Sequence, residues 1–216
     1  MFSEDNNPDL RSNLVYSIEH RHHQKRILEF LQDNLPTVAR RLVGTTLNLT
    51  ALKEDDVTRE IAHLLNDGLR ITGGYLFGFE AKSGPDILIY ALPYELFAPA
   101  LFVIEAKRLP PTRSRDYVHS GIGRFKKEEH GERHEVAAML AYVQDKDFTH
   151  WHKTINSWID DLIHNADESP AWTAQDKLRR VKEDYIGEYN SIHSRVSRDS
   201  IALRHFWIML NKTKAN

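Results

Sequence analysis

Three short apolar runs follow one another in the middle of this chain and limit what it can fold into. The runs are YLFGFEA at 75–81, DILIYAL at 86–92 and ALFVIEA at 100–106, and each is rich in aromatic or branched residues. Turn-forming sequences separate them, SGP before the second run and PYELFAP before the third. Short apolar segments divided by turns are typical of β-strands joined by tight connections. We therefore expect three consecutive strands of a meander, with a mixed or antiparallel sheet at this end.

Helical patterns surround this meander. Acidic residues at 54–56 precede an apolar stripe at helical spacing, and Gly68 ends the pattern, which predicts a helix over 54–67. Upstream, the pattern that starts at Tyr16 predicts a helix that Pro36 interrupts, followed by a shorter helical piece to Leu42. Downstream, the sequence predicts helices over 116–129 and 147–165, strands over 139–143 and 200–210, and an irregular or helical segment over 165–184.

This mixture of strands and helices indicates an α/β fold with a central mixed β-sheet flanked by helices. A chain of 216 residues suits a single compact unit with a substantial core. We divide it into an N-terminal helical extension, 1–50, and a main domain, 51–216.

The composition excludes several classes of protein. The chain has no cysteine, so disulfides, thiolate zinc sites and a cysteine nucleophile are ruled out, and any metal must bind to oxygen or imidazole. Its apolar runs are far shorter than the roughly 20 residues of a membrane helix, and its first ten residues are acidic where a signal peptide is basic. We therefore expect a cytoplasmic protein without a membrane segment.

The net charge of −2 carries no general signature of a nucleic-acid binder, but the basic residues are unevenly distributed. One basic segment directly follows the third strand of the meander. Such segments are often only solvated faces, although this one would lie where a polyanion approaches the end of that strand. Its candidates for phosphate contacts are Arg108, Arg113, Arg115, Arg124 and Lys126.

The tripeptide Glu-Ala-Lys occurs twice, at 80–82 and at 105–107. Alternate side chains of a strand share a face, so Glu105 and Lys107 project together. Asp86 begins the preceding strand, and an antiparallel hairpin would bring it beside the end of the next one. The first tripeptide has no such acid in a preceding strand. We therefore place the site at Asp86, Glu105 and Lys107.

Metal-assisted phosphodiester hydrolysis is the chemistry that uses such a set. Two carboxylates, Asp86 and Glu105, bind Mg²⁺ through hard oxygen ligands, and the carbonyl of Ala106 is a natural further ligand. The metal polarises the phosphate and lowers the pKa of a bound water. The ammonium of Lys107 then positions that water or offsets charge in the transition state.

The segments GPDILIY and FVIEAKRL resemble the two halves of the PD-(D/E)XK nuclease motif. This superfamily includes many restriction endonucleases, and the resemblance implies their fold, a Mg²⁺ cofactor that Mn²⁺ can replace, and DNA as the substrate. In that superfamily a helix before the sheet often supplies another acid, for which we select Glu60. The later segments YVHSGIGRF and AAMLAYV look like a bacterial subgroup from restriction and phage-defence systems, which implies a protein partner.

Three alternatives remain open from the sequence. The chain could be a catalytically silent module with a nuclease-like fold that binds nucleic acid or a protein. RNA could replace DNA as the substrate, because the site residues would be the same. Cutting both strands of a duplex requires two sites, so a homodimer is also compatible with the proposed task.

Overall fold

The computed structural model describes residues 8–44, 52–72, 74–80, 84–93, 98–110, 115–165, 167–197 and 199–210, with side chains from residue 19 except in 68–72. It is an α/β structure built on one mixed sheet of seven strands in the order β1-β2-β3-β4-β7-β6-β5. The strands are β1 Tyr75–Phe79, β2 Ile87–Ala91, β3 Phe102–Leu109, β4 Val136–Val143, β5 Arg179–Glu183, β6 Ile186–His193 and β7 Ile201–Met209.

Parallel pairing is confined to the centre of the sheet. Strand β3 pairs with β4, and β4 with β7, in parallel, whereas all other neighbours are antiparallel. The central strands are buried on both faces, as parallel strands require. The predicted meander of β1, β2 and β3 and the predicted mixed sheet are therefore confirmed.

Helices cover both faces of the sheet. Helices α1 Pro8–Gly44 and α2 Glu54–Thr72 pack on one face, where residues such as Leu31, Ile61 and Ala106 share one apolar core. The opposite face carries a π-helical turn, Tyr117–Ile122, which continues into α3 Gly123–Lys126, together with α4 Phe148–Ile163. A short 3₁₀-helix, Ala174–Asp176, precedes β5.

Helix α1 contradicts the prediction of an interruption at Pro36. The helix runs without a break from Pro8 to Gly44 with Pro36 inside it. Proline removes one backbone donor and crowds the preceding turn, which costs about 3 kcal/mol in a helix interior. Burial of Leu31, Leu35 and Leu42 in the core shared with the sheet offsets this cost.

Two element boundaries differ from the predictions, and two strands were not predicted. Helix α2 extends past Gly68 to Thr72, and the helical segment expected over 116–129 ends at Lys126. The region 165–184 contains the edge strand β5, which is mostly exposed and polar and so lacks an apolar signal. Strand β6 was not predicted because polar residues such as Ser191 and His193 take buried positions in it.

Among the described residues, no helix combines the length and the apolar character needed to cross a bilayer.

Candidate active site

The hairpin of β2 and β3 brings Asp86 to the end of β3. Ile87 pairs with Ile104 in the antiparallel register, so the residue before β2 lies opposite Glu105. The Oδ2 atom of Asp86 accepts a hydrogen bond of 2.6 Å from the backbone N–H of Ala106. The predicted approach of Asp86 to the Glu-Ala-Lys segment is therefore present.

Glu105 and Lys107 lie side by side on one face of β3. The Lys107 ammonium donates to Glu105 Oε1 over 2.6 Å and to the Ala106 carbonyl over 2.9 Å. The Ala106 side chain points to the opposite core. Glu105 is 0% exposed and Lys107 is 9% exposed, so this pair is almost fully removed from bulk water.

Two more side chains reach Glu105 from the segment that follows the π-helical turn. Arg124 donates to Oε1 over 3.2 Å, and Nδ1 of His130 lies 3.0 Å from Oε2, although the latter two atoms are not aligned as a full hydrogen bond. Arg124 was predicted to approach this site from its place in the basic segment. His130 was missed, because nothing in the sequence indicates that the chain after α3 folds back onto β3.

Close packing of the π-helical turn against Lys107 depends on Gly121. A Cβ atom at this position would lie 3.5 Å from Cγ of Lys107 and 2.6 Å from the methyl group of Met139. The turn therefore lies directly against the stem of the lysine. π-Helical turns of this kind occur frequently at functional sites.

Helix α2 supplies a third carboxylate, and it comes from Glu54. Its Oε2 atom accepts 2.6 Å from the backbone N–H of Arg108, and its Oε1 lies 3.6 Å from the Lys107 ammonium. Glu60, which we selected from the sequence, lies six residues later, about 9 Å further along the helix axis. The contact with the motif is made by the first turn of α2, whose acidic run at 54–56 was the available signal.

The pKa values of the two carboxyl groups Asp86 and Glu105 are shifted in opposite directions. Burial, together with the charge of Glu105, raises the pKa of Asp86 to about 7. Burial alone would raise the pKa of Glu105 as well, but the His130 imidazole and the Lys107 ammonium lower it below its usual value. Burial opposes the charge of Lys107, yet Glu105, Glu54 and Asp86 together raise its pKa. Such separation of two neighbouring carboxyl groups is typical of functional sites.

The oxygen atoms at the end of β3 fit a hard divalent cation. Asp86 and Glu105 supply carboxylates, the Ala106 carbonyl accepts from the Lys107 ammonium over 2.9 Å, and Oε2 of Glu105 is buried without an aligned hydrogen-bond donor. Within the described part of the chain, no three His, Asp or Glu side chains are already arranged around one point as metal ligands. This donor set suits Mg²⁺, which commonly binds through one or two carboxylates and retains several waters.

The remaining predicted phosphate contacts lie in different surroundings. Arg108 donates to the carbonyl of Leu52, and Arg115 pairs with Asp161 at 2.7 Å. Lys126 is 1% exposed and pairs with the buried Asp176 at 2.7 Å, so its charge faces the core. Arg113 lies outside the described residues. Among the described members of this set, Arg124 contacts Glu105 and has a side chain that is 40% exposed.

The other Glu-Ala-Lys segment has different surroundings. Glu80 is exposed directly after β1, and the two residues that follow it lie outside the described part of the chain.

No family model, curated protein or solved structure matches this chain. The assignment of functional roles therefore rests on the site itself.

A second polar cluster, which no sequence pattern indicated, lies buried between the sheet and the π-helical turn. Asp176 contacts Nδ1 of His193 at 2.5 Å, and Nε2 of His193 contacts the Ser191 hydroxyl at 2.6 Å. This resembles the order of a serine-hydrolase triad. However, Ser191 is buried, and its hydroxyl also contacts Nε2 of His205 at 2.7 Å, so a substrate has no access to it.

The same cluster continues to the π-helical turn. Nδ1 of His205 contacts the Tyr117 hydroxyl at 2.7 Å, and the Trp207 indole donates to that hydroxyl over 3.0 Å. Burial lowers the pKa of His205 well below its usual value. One consistent direction of donation, from Trp207 through to Asp176, satisfies every member with neutral imidazoles. We assign this chain of hydrogen bonds a structural role.

Proposed function

We propose that this protein is a metal-dependent nuclease that hydrolyses phosphodiester bonds. The observation that carries the proposal is the meeting of three carboxylates at the end of β3: Glu105 and Glu54 flank the ammonium of Lys107, and Asp86 accepts from the adjacent Ala106 N–H. With Asp86 ionised, the three carboxylates exceed the two cations, Lys107 and Arg124, by one negative charge, which suits the handling of phosphate through a bound divalent cation.

Each residue of the site has a distinct task in this proposal. Asp86, Glu105 and the Ala106 carbonyl would hold Mg²⁺ or Mn²⁺, which when bound polarises the phosphate and acidifies a water. Lys107 orients the attacking water and offsets charge on the phosphate. Glu54 keeps Lys107 charged and in place, and Arg124 binds a non-bridging phosphate oxygen.

The sequence motifs resemble those of the PD-(D/E)XK nuclease superfamily, and this resemblance supports a more specific proposal. We propose a restriction-endonuclease-like arrangement, DNA as the substrate, and a role as effector or subunit of a prokaryotic anti-phage defence or restriction system. The mixed sheet and an acid from the helix before it support this assignment. A protein partner, or a second copy of the chain, would then supply targeting or the second cut.

Cleavage assays with matched variants test the proposal. Supercoiled plasmid, linear duplex, single-stranded DNA and RNA are incubated with Mg²⁺ or Mn²⁺, and the wild type is compared with Asp86→Asn and Lys107→Ala. Loss of one such group lowers the rate by about 100-fold or more. Glu80→Ala, in the other Glu-Ala-Lys segment, is the control and keeps wild-type activity. Activity that survives in both site variants would refute the assignment.

One observation favours a second candidate, a silent nuclease-like module. Glu105 is fully buried and contacts three cationic or polar groups, Lys107, Arg124 and His130, so it is firmly held where it lies. A module of this kind would bind nucleic acid or a protein without cutting. Binding of DNA by the wild type in Mg²⁺, with no cleavage of any substrate at high protein concentration, is the result that selects this candidate.

A further inference from the structure

The segment 117–126, made of the π-helical turn and α3, is anchored at both ends to the second polar cluster. Its first residue, Tyr117, is fully buried, and the hydroxyl contacts Nδ1 of His205 in β7 at 2.7 Å. Its last residue, Lys126, is also buried and donates to Asp176 over 2.7 Å. The hydrogen bonds of the cluster join Asp176 to His205. One continuous polar chain therefore connects the two ends of the segment.

The middle of the segment contacts the proposed active site. Gly121 lies against the stem of Lys107, and Arg124 donates to Oε1 of Glu105 over 3.2 Å. Residues two positions apart on an α-helix point in directions about 200° apart. In α3, Arg124 accordingly faces the active site while Lys126 faces the polar cluster. The same short helix therefore contacts both groups of residues.

The register of the sheet places the cluster and the active site in one row. Glu105 of β3 pairs with Met139 of β4, and Met139 pairs with His205 of β7. Directly paired residues point to the same face of a sheet, so these three side chains lie side by side beneath the segment 117–126. Neighbouring strands are about 4.8 Å apart, which puts the backbone of His205 about 10 Å from that of Glu105. A shift of the segment over His205 would therefore reach the active site.

Both anchors make further contacts that fix their positions. The Tyr117 hydroxyl accepts from the Trp207 indole over 3.0 Å, and the Lys126 ammonium also donates to the Ala171 carbonyl over 3.1 Å. Buried polar groups are costly to leave unpaired, so each anchor is held where its partners lie. The segment between the anchors consequently keeps one position over the sheet.

We propose that Tyr117 and Lys126 are positioning residues for the nuclease reaction, because they fix the segment 117–126 and thereby hold Lys107 and Arg124 in place. Both groups are buried, so neither touches the substrate. The inference rests on the proposed function for the reaction that Lys107 and Arg124 serve. It gives the second polar cluster a role in catalysis in addition to its contribution to stability.

Tyr117→Phe tests the proposal, with Tyr75→Phe as the matched control. Each substitution keeps a buried aromatic ring and removes a hydroxyl that contacts Nδ1 of a histidine. Tyr75, however, belongs to the core on the opposite face of the sheet. Both variants should therefore have a Tm a few degrees below that of the wild type.

Cleavage with Mg²⁺ is measured at a temperature at which all proteins are fully folded. Tyr117→Phe should lower kcat by about 10- to 100-fold and keep KM within about twofold, because Lys107 acts in the transition state. Lys126→Leu, at the other end of the segment, should lower kcat as well. Tyr75→Phe should keep the wild-type kcat, since loss of stability alone leaves a folded enzyme unchanged.

The methyl group of Met139 provides a readout that does not require cleavage. It lies directly beneath Gly121, and the chain has three methionines in all. In protein labelled with [methyl-¹³C]methionine, Met139→Leu identifies its NMR signal. That signal should shift or broaden in Tyr117→Phe and Lys126→Leu and should stay in place in Tyr75→Phe.

Three results would overturn the proposal: a wild-type kcat in folded Tyr117→Phe, an equal loss of kcat in Tyr75→Phe, or a Met139 signal that neither Tyr117→Phe nor Lys126→Leu moves. A wild type that cuts no substrate would instead refute the proposed function. The Met139 signal alone would then support or contradict the coupling of the cluster to the site, so the two failures are distinguishable.

Discussion

Glu54, and not the predicted Glu60, is the acidic residue of α2 that contacts the end of β3. It contacts both the backbone of Arg108 and the ammonium of Lys107, so it links α2 to the end of β3. Glu105 is held from the other side by Arg124 and His130. Lys107 therefore contacts carboxylates of two elements that are distant in sequence, Glu54 in α2 and Glu105 in β3, and both favour its charged form.

Glu54→Gln should lower metal-dependent cleavage by about 10- to 100-fold, the usual effect of removing a group that orients the reacting residues. The amide cannot balance the lysine charge, so the Lys107 ammonium loses part of its stabilisation. Initial rates on plasmid DNA measure the effect. Glu60→Gln on the same helix is the matched control and should stay within about twofold of the wild type. A larger loss in Glu60→Gln than in Glu54→Gln would restore the original assignment.

Stability should fall as pH rises toward neutrality because of Asp86. Its pKa is about 7 in the folded chain and near 3.8 when unfolded, so the folded state holds a proton that the unfolded state has lost. The stabilising contribution is complete below the unfolded value and is lost as pH rises through the folded one. Urea unfolding at several pH values measures the slope. Asp86→Asn should flatten it between these pH values, and an unchanged slope would mean that Asp86 ionises normally.

At the scale of helices and strands, burial in the core determines which elements form when the local sequence pattern does not predict them. Helix α1 accommodates Pro36 because its apolar stripe packs into the core of the sheet. Strand β6 forms although Ser191 and His193 are buried in it, because its backbone pairs with β7 and these two side chains form hydrogen bonds with each other and with Asp176.

Pro36→Ala should stabilise the protein by about 1–3 kcal/mol, since it restores a backbone donor and removes the crowding of the preceding turn. The free energy of unfolding in urea measures the change. Thr37→Ala, at the next and exposed position of the same helix, is the control and should change it by less than about 0.5 kcal/mol. Destabilisation by Pro36→Ala would indicate that the proline ring itself packs favourably.

Ser191→Ala should destabilise the protein by about 1–3 kcal/mol, the cost of leaving buried polar groups without a partner. The hydroxyl bridges His193 and His205, and both imidazoles would lose a hydrogen bond. Denaturant unfolding measures the loss. Ser157→Ala on the exposed side of α4 is the matched control and should be nearly neutral. If Ser191→Ala instead abolished an activity without loss of stability, the structural assignment of this cluster would be wrong.

Binding of a divalent cation should be visible at the scale of the whole molecule. A ligand that binds only the folded state raises its stability in proportion to RT ln(1 + [L]/Kd). Mg²⁺ or Mn²⁺ should therefore raise the Tm of the wild type progressively with concentration. The increase should be much smaller in Asp86→Asn, which lacks one carboxylate of the donor set, and should persist in Glu80→Ala. A Tm independent of both cations would argue against the proposed metal site.

Local sequence patterns were sufficient for one end of the sheet. The apolar runs of β1, β2 and β3, and the turns between them, predicted the meander because strand periodicity and turn chemistry act over a few residues. The hairpin then placed Asp86 beside Glu105, since antiparallel pairing joins the start of one strand to the end of the next. The helices α2 and α4 were located by their amphipathic spacing in the same way.

The sequence by itself determined strands β1 to β4 and β7, helices α2 and α4, and the pairing of Asp86 with the Glu-Ala-Lys segment, all of which depend on neighbours along the chain. The tertiary structure alone decided that Glu54 meets Lys107, that His130 meets Glu105, and that Lys126 is buried against Asp176. These contacts depend on how a helix is rotated on the sheet and on where a connecting segment returns. Long-range packing determines both, because it minimises the exposed apolar area and the unpaired buried charge of the whole molecule. The spacing of residues within one helix or strand carries no information about these long-range contacts.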